Sequence, residues 1–320
     1  MVSDIPTRMD IEEAKARIEP YVHRTPVLSS RNINSMAGAD LFFKCENLQR
    51  GGAFKFRGAT NAVFSLSEKD ARKGVATHSS GNHAQALALA ARNRGIGAYI
   101  VMPRNSPDVK VNAVRDYGAD ITFCEPTLKD RETALEGLVE RTGAEFIHPY
   151  NDPRVIAGQA TACMELLEET PDLDMILTPV GGGGLLSGTS LAVKYFGNET
   201  SVLAAEPSGA DDAKRSLEEG RLIPSVDPDT ICDGLLTSLG DLTYRILKSN
   251  VERILTVEDD YTVKAMKLIF ERMKMVVEPS AAITLGAVLR HGECFSNKRI
   301  GIILSGGNVD LEKLPWFESI

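Results

Sequence analysis

Short runs of β-branched and apolar residues alternate with longer segments of helical periodicity along the whole chain. The runs predict strands at 41–46, 74–79, 98–103, 119–125, 144–149, 175–180, 201–207, 253–258 and 299–306. Between them, apolar residues recur at about 3.6-residue spacing, and Asp10 with Glu13 resembles a capping box that opens the first helix. Such alternation predicts an α/β fold with mostly parallel sheets flanked by helices. Ligands of these folds bind beyond the carboxyl ends of the strands, in loops that lead into helices.

The charge balance argues against two classes of partner. The 320 residues contain 36 Lys and Arg against 44 Asp and Glu, so the formal charge is −8. A nucleic acid or an anionic membrane would require a clustered excess of basic residues. No apolar stretch approaches the roughly 18–20 residues that span a bilayer, and the N-terminal segment lacks the apolar core of a signal peptide. We therefore expect a cytoplasmic protein.

The cysteines and histidines are few and dispersed. The five cysteines form no CxxC pair, and the five histidines form no HxH or HExxH motif. This pattern indicates neither a disulfide framework nor a Cys/His metal site, and it is typical of a reducing compartment.

The segment LTPVGGGGLLSGTS places four glycines, Gly181, Gly182, Gly183 and Gly184, between a strand and a helix. Without Cβ atoms the backbone can turn several N–H groups toward one point, and the helix N-terminus adds partial positive charge. The run matches neither a Walker A loop, because Thr189 stands where lysine is required, nor the GxGxxG dinucleotide pattern. It therefore predicts a phosphate-binding loop, with a tight turn as the alternative.

Lys55 lies between Phe54 and Phe56, just after two glycines. An isolated lysine is ordinarily a solvated surface residue, but apolar neighbours would desolvate it, lower its pKa and favour the nucleophilic amine. A nucleophilic lysine together with a separate phosphate loop suggests pyridoxal phosphate held as a Schiff base.

Four ordered motifs, GAFKFRGA, SSGNHAQA, PVGGGGLLSG and LSGGNVD, resemble those of the fold-type II pyridoxal-phosphate enzymes, which include the serine racemases and the serine/threonine dehydratases. The resemblance spans nearly the whole chain. It implies Lys55 as the Schiff-base lysine, Phe54 against the cofactor ring, and Asn82 at the phenolic oxygen. It also implies that Gly181 to Gly184 and Leu185 hold the phosphate.

The loop of Ser79, Ser80, Asn82 and His83 precedes a predicted helix, so its polar residues could simply cap that helix. The resemblance assigns the loop to the substrate α-carboxylate. Ser80 is the informative position, because racemases and hydroxyaspartate dehydratases of this family read SSGNH where threonine dehydratases read SAGNH. Racemisation needs an acid or base on each face of the α-carbon, and the resemblance implies Lys55 and Ser80 in those roles.

Ser305 ends a predicted buried strand, an ordinary place for a strand to turn. The resemblance places its hydroxyl against the pyridine nitrogen of the cofactor. A neutral partner there, rather than an aspartate, favours racemisation and β-elimination over transamination.

The pattern AAEPSGADD carries a possible cation site. Glu206, the carbonyl of Ala210 and Asp212 provide oxygen atoms of the kind that Mg²⁺ and Ca²⁺ prefer. A solvated acidic loop is the alternative from the residues alone. The resemblance implies a structural Mg²⁺ or Ca²⁺ at this E-x3-A-x-D pattern.

Arg131 and Tyr150 bear on the substrate side chain. The resemblance places Arg131 near the substrate pocket, where it could pair with a second carboxylate, although a surface helix arginine is the alternative. Tyr150 differs from the asparagine of mammalian serine racemases and resembles the fungal, plant and hydroxyaspartate-dehydratase versions.

The resemblance implies a large cofactor-binding domain, 1–73 plus 152–320, a small mobile domain, 74–151, and a homodimer. It implies racemisation of serine, with β-elimination of serine to pyruvate and ammonia. The alternatives are an L-threo-3-hydroxyaspartate dehydratase, then a threonine dehydratase, and in a different class a non-catalytic phosphate-binding α/β protein in which Lys55 is idle.

Overall fold

The computed structural model describes residues 5–79, 81–106 and 108–316. The strands in this part of the chain are β1 (Val27–Leu28), β2 (Asp40–Cys45), β3 (Val75–His78), β4 (Ala98–Pro103), β5 (Asp120–Cys124), β6 (Glu145–Phe146), β7 (Met175–Pro179), β8 (Ser201–Pro207), β9 (Arg253–Val257) and β10 (Arg299–Leu304). The α-helices are α1 (Arg8–Ile18), α2 (Arg31–Ala37), α3 (Lys55–Phe64), α4 (Glu68–Ala71), α5 (Asn82–Arg94), α6 (Asp108–Asp116), α7 (Leu128–Thr142), α8 (Pro153–Glu169), α9 (Gly184–Phe196), α10 (Asp212–Glu219), α11 (Asp241–Asn250), α12 (Asp259–Leu268) and α13 (Pro279–Arg290).

The predicted strands are all present, and two local predictions need correction. The run at 144–149 is a strand only at Glu145–Phe146, where it pairs with β3. The first helix begins at Arg8, and its capping box is formed by Thr7 and Asp10 rather than by Asp10 and Glu13. Thr7 has extended backbone angles and accepts the Asp10 N–H, as an N-cap residue must.

A six-stranded sheet has the order β1-β2-β10-β7-β8-β9 and is parallel except for β1. Successive residues on its strands enter opposite faces: Ile302 packs with α12 and α13, and the next residue, Ile303, packs with α8 and α9. Because both faces are covered, most residues of the inner strands are apolar on either face, as expected for a buried parallel sheet.

A four-stranded parallel sheet has the order β5-β4-β3-β6. Val75 packs with α3 and α5 on one face, and Ala76 packs with α7 on the other. All four strands lie within 74–151, the segment predicted as the small domain. Its mobility as a separate domain stays a prediction.

A buried ion network fixes the start of α3 against β2 and α8. The guanidinium of Arg57 donates to both carboxylate oxygens of Glu46 (2.7 and 2.8 Å) and to both of Glu165 (2.7 and 2.8 Å). The ammonium of Lys44 pairs with Glu165 at 2.7 Å. Two positive and two negative side chains are thus removed from water together, which is the arrangement that makes burial of charge tolerable.

The described cysteines are all free. None of the helices in the described ranges combines the length and apolar character needed to cross a bilayer.

Candidate active site

Lys55 begins α3 with its side chain partly buried. Its Nζ donates to the carbonyl of Pro149 at 2.8 Å and lies 5.2 Å from the centroid of the Phe54 ring. Burial lowers the pKa of Lys55 to about 8, and the carboxyl of Glu278 partly opposes that shift. A larger fraction of this amine is therefore neutral at pH 7 than for a solvated lysine.

The strand end at Ser305 lies directly beside the lysine segment. Phe54 N–H donates to the Ser305 carbonyl at 2.9 Å, and Ala53 forms an antiparallel bridge with Gly306. Ser305 is buried, and its hydroxyl donates weakly to the Ser280 carbonyl at 3.4 Å. Phe54 and Ser305, which are 251 positions apart in the sequence, are thereby held next to each other by backbone pairing.

Asn82, the first residue of α5, contacts this same region through its side chain. Its Nδ2 donates to Glu278 at 2.8 and 3.1 Å, and its Oδ1 accepts from Asn308 Nδ2 at 2.9 Å. Asn308 also donates to the carbonyl of Gly51 at 2.7 Å. Through Asn308, Asn82 is therefore linked to the segment that contains Ser305 and to the segment that leads into Lys55.

The four glycines join β7 to α9, and α9 begins without a side-chain cap. Uncapped N–H groups at a helix start are suited to bind a phosphate. Gly183 has φ +87, and a Cβ on Gly182 would lie 2.4 Å from the ring of Tyr150. A Cβ on Gly181 would lie 2.8 Å from the backbone of Leu235. Glycine is thus required here both by conformation and by close packing. The side chain of Leu185 is part of the core, so its backbone N–H is the group it can offer.

Tyr150 packs on this loop, and its ring stands at 85° to that of His148 with centroids 4.5 Å apart. Burial raises the pKa of its hydroxyl. The predicted substrate residue therefore lies beside the glycine loop and forms part of its wall.

The loop after β3 contains the predicted carboxylate-binding residues. Ser79 Oγ accepts from the N–H of Gly81 at 3.3 Å, whereas Ser80 lies outside the described residues. His83 is buried with Nε2 at 3.2 Å from the Ile147 carbonyl, and burial together with the charge of Lys55 holds its pKa well below the usual value. The neutral ring donates its N–H to the Ile147 carbonyl. The backbone N–H of His83 is therefore the donor that this residue can offer to a carboxylate.

Arg131 lies on α7, which packs against β3. Its charge contributes to the lowered pKa of His78, so it lies within electrostatic reach of the residue preceding Ser79. Arg131 Nε is buried and has no hydrogen-bond partner among the described residues. The guanidinium thus has unused donor capacity near the predicted carboxylate loop.

Glu206 and Asp212 are both buried near the carboxyl end of β8. Burial raises the pKa of Glu206 to about 8 and that of Asp212 to about 6. Glu206 accepts the N–H groups of Ala213 and Lys214, whereas Asp212 Oδ2 is buried with no partner in the described ranges. Two buried carboxyls without a basic partner in hydrogen-bond contact among the described residues would suit a cation, with the Ala210 carbonyl as a further oxygen. No cluster of three or more His, Cys, Asp or Glu side chains suited to a metal occurs among the described residues.

Sequence reasoning missed Glu278 and assigned no role to Asn308. Glu278 precedes a proline at the start of α13, a position where an acidic residue normally serves only the helix. Its contact with Asn82 joins residues 196 positions apart. Asn308 lies within the LSGGNVD motif, and membership of that motif is the sequence feature that could have pointed to it.

The arrangement fits pyridoxal phosphate: an amine with depressed pKa, an uncapped helix behind a glycine loop, and neutral polar groups at Asn82 and Ser305. The family model described as pyridoxal-phosphate dependent enzyme matches residues 18–306. The chain is 52% identical to the β-hydroxyaspartate dehydratase of Paracoccus denitrificans, covering 98% of this chain and 99% of that protein. It is 50% identical to the serine racemase of Dictyostelium discoideum, covering 96% of each.

The solved structures agree with these relatives. Maize serine racemase superposes with a TM-score of 0.94 at 48% identity, covering 98% of this chain and 96% of that chain. The predicted fold class is therefore confirmed, and so is the expectation of a pyridoxal-phosphate enzyme. The chain belongs to the family of pyridoxal-phosphate-dependent enzymes of fold-type II.

Proposed function

We propose that this enzyme racemises serine and also eliminates water from it to give pyruvate and ammonia. The main observation behind this proposal is the environment of the Lys55 amine. The amine has a lowered pKa and donates a hydrogen bond to the Pro149 carbonyl, and the preceding residue pairs with Ser305. Relatives named serine racemase, which are 50% identical to this chain, support the substrate assignment.

When bound, pyridoxal phosphate withdraws electrons from the substrate α-carbon and so acidifies its C–H bond. Lys55 would hold the cofactor aldehyde and then accept the α-proton. Its lowered pKa suits this exchange, because a base works best when its pKa is near the ambient pH. The Pro149 carbonyl would orient the amine during the transfer.

The remaining predicted residues take supporting roles in this proposal. The helix start at Asn82 and the hydroxyl of Ser79 would bind the α-carboxylate, and Ser80 would carry the proton on the opposite face. Ser305 would offer an uncharged hydroxyl to the ring nitrogen, which favours racemisation and elimination over transamination.

We also propose a structural Mg²⁺ or Ca²⁺ held by Glu206, Asp212 and the carbonyl of Ala210. The buried carboxyls support this assignment, because a divalent cation would supply the missing opposite charge. A cytoplasmic location is supported by the free cysteines. The homodimer and the mobile segment 74–151 rest on the family resemblance.

One observation favours a second substrate, 3-hydroxyaspartate. The buried Nε of Arg131 has no hydrogen-bond partner in the described part of the chain. The charge of the same guanidinium lowers the pKa of His78, which precedes the loop predicted to bind the α-carboxylate. A second carboxylate on the substrate would use that donor. The Paracoccus relative, named a β-hydroxyaspartate dehydratase, supports this alternative.

The two substrates can be separated by measuring keto acid and enantiomer from L-serine, D-serine, L-threonine and 3-hydroxyaspartate. For the Arg131→Met variant we expect KM for 3-hydroxyaspartate to rise on the order of 10- to 100-fold, since a charge-assisted hydrogen bond is lost, while kinetics with serine stay unchanged. Arg141→Met on the same helix is the matched control, because Arg141 is exposed at its far end.

Formation of the opposite serine enantiomer together with pyruvate supports the first proposal. If wild-type turnover of 3-hydroxyaspartate exceeds that of serine by orders of magnitude, the second proposal replaces it. Absence of turnover on all four substrates contradicts both.

A further inference from the structure

Glu278 is a buried carboxyl that the proposed reaction does not use. It lies immediately before α13 and is 4% exposed. Its N–H donates to the Gly306 carbonyl at 3.0 Å, and a Cβ on Gly306 would lie 2.5 Å from Glu278 Oε1. A side chain at position 306 would therefore clash with the Glu278 carboxyl, so glycine is required directly after Ser305.

The carboxyl determines how the amide of Asn82 is oriented. Both of its oxygens are within hydrogen-bond distance of Asn82 Nδ2, at 2.8 and 3.1 Å, while Asn308 donates to the Asn82 oxygen. Turning the amide over would place its oxygen against the carboxylate and its N–H groups against another donor. The network therefore permits one orientation when Glu278 is ionised.

Protonation of Glu278 would disturb this arrangement. The neutral acid carries a hydrogen on one oxygen, so only the other oxygen can still accept from Asn82 Nδ2, and the charge-assisted hydrogen bond becomes a weaker neutral one. Burial and the negative charge of Asp233 raise the pKa of Glu278 to about 7, opposed by the Asn82 hydrogen bond and by the charge of Lys110. The free amine of Lys55 also interacts with it when no cofactor is bound.

We propose that Glu278 is a positioning residue that acts through Asn82: its carboxylate holds the Asn82 amide in the orientation that presents an N–H to the phenolic oxygen of the cofactor, and protonation weakens that hold. This deepens the proposed function and rests on the assignment of Asn82 to the phenolic oxygen. The bond also joins α5, which packs on the four-stranded sheet, to a segment that packs on the six-stranded sheet.

The test is a pH titration of the visible absorbance of the holoenzyme without amino-acid substrate. Wild type should show a step in the cofactor band with a midpoint near pH 7. Glu278→Gln should lose that step, because the amide cannot ionise. Asp233→Asn should keep the step but move its midpoint to lower pH, because removing a like charge and freeing Lys110 both favour the carboxylate.

A wild-type titration without a step, or a Glu278→Gln variant that keeps the wild-type step, overturns the proposal. Should Glu278→Gln fail to fold, as judged by circular dichroism, Asp233→Asn decides: a lowered midpoint supports the proposal and an unshifted midpoint overturns it. Because no substrate is present, these outcomes are independent of whether serine or another amino acid is the substrate.

Discussion

At the residue scale, one physical effect moves Lys55 and Glu278 toward neutral pH from opposite sides. Loss of water disfavours the charged form of each group, so the pKa of the lysine falls to about 8 and that of the glutamic acid rises to about 7. Their mutual attraction counteracts part of the shift in the lysine. The site therefore contains two groups whose pKa values lie close to physiological pH.

The cation assignment gives a prediction at this scale. Adding Mg²⁺ or Ca²⁺ should raise the thermal unfolding temperature by several degrees, since a ligand that binds only the folded state stabilises it. Asp212→Asn should abolish the increase. Asp211→Asn should retain it, because Asp211 pairs with Arg215 outside the proposed set. An equal increase in wild type and in Asp212→Asn, measured by scanning calorimetry, would contradict the assignment.

Local chemistry in the sequence was sufficient to single out Lys55, because its aromatic neighbour and preceding glycines are adjacent in the chain. It was insufficient for Glu278, whose role follows from contacts with Asn82 and Gly306 that only the tertiary fold creates. The same holds for His83, whose motif suggested substrate binding but whose ring N–H contacts the Ile147 carbonyl.

At the element scale, the glycine loop is shaped by what packs against it as well as by what it is proposed to bind. Tyr150 follows β6 and covers Gly182 and Gly184, where added Cβ atoms would lie within 2.4 and 2.8 Å of it. The run of glycines in the sequence predicted a turn for phosphate. It could not reveal the packing of Tyr150, which disfavours side chains at these positions.

Gly182→Ala should therefore weaken cofactor binding on the order of tenfold or more, because a clash of this size costs about 1–3 kcal/mol. The measurement is equilibrium titration of the apoenzyme with pyridoxal phosphate. Gly137→Ala in α7 is the matched control, since no atom lies within 4 Å of the added Cβ. Unchanged affinity in Gly182→Ala would show that the loop does not depend on this packing.

Secondary structure was predictable wherever periodicity extended over several residues. The strands β4 and β8 match their predicted ranges. The two-residue strand β1 was not predicted, because it is defined by antiparallel pairing with β2 rather than by any pattern of its own. β6 is shorter than its apolar run for the same reason, since pairing with β3 ends at Phe146.

At the scale of the whole molecule, the site lies where elements of both sheets meet. Asn82 and Pro149 come from the segment containing the four-stranded sheet, and they contact Glu278 and Lys55 respectively. The parallel topology places β3, β7 and β10 so that the loops after them carry the candidate residues, as expected for α/β proteins. Sequence alternation predicted this topology, whereas the contacts between the two sheets depended on the complete fold.

The central claim is that Lys55 holds the cofactor aldehyde covalently, and it can be tested directly by borohydride reduction followed by peptide mass spectrometry. We predict one phosphopyridoxyl group on the peptide that contains Lys55, and none in the Lys55→Ala variant. Lys44 serves as an internal control, because it is buried and its ammonium is ion-paired with Glu165. Labelling of Lys44 or another lysine, or no labelling at all, would contradict the account.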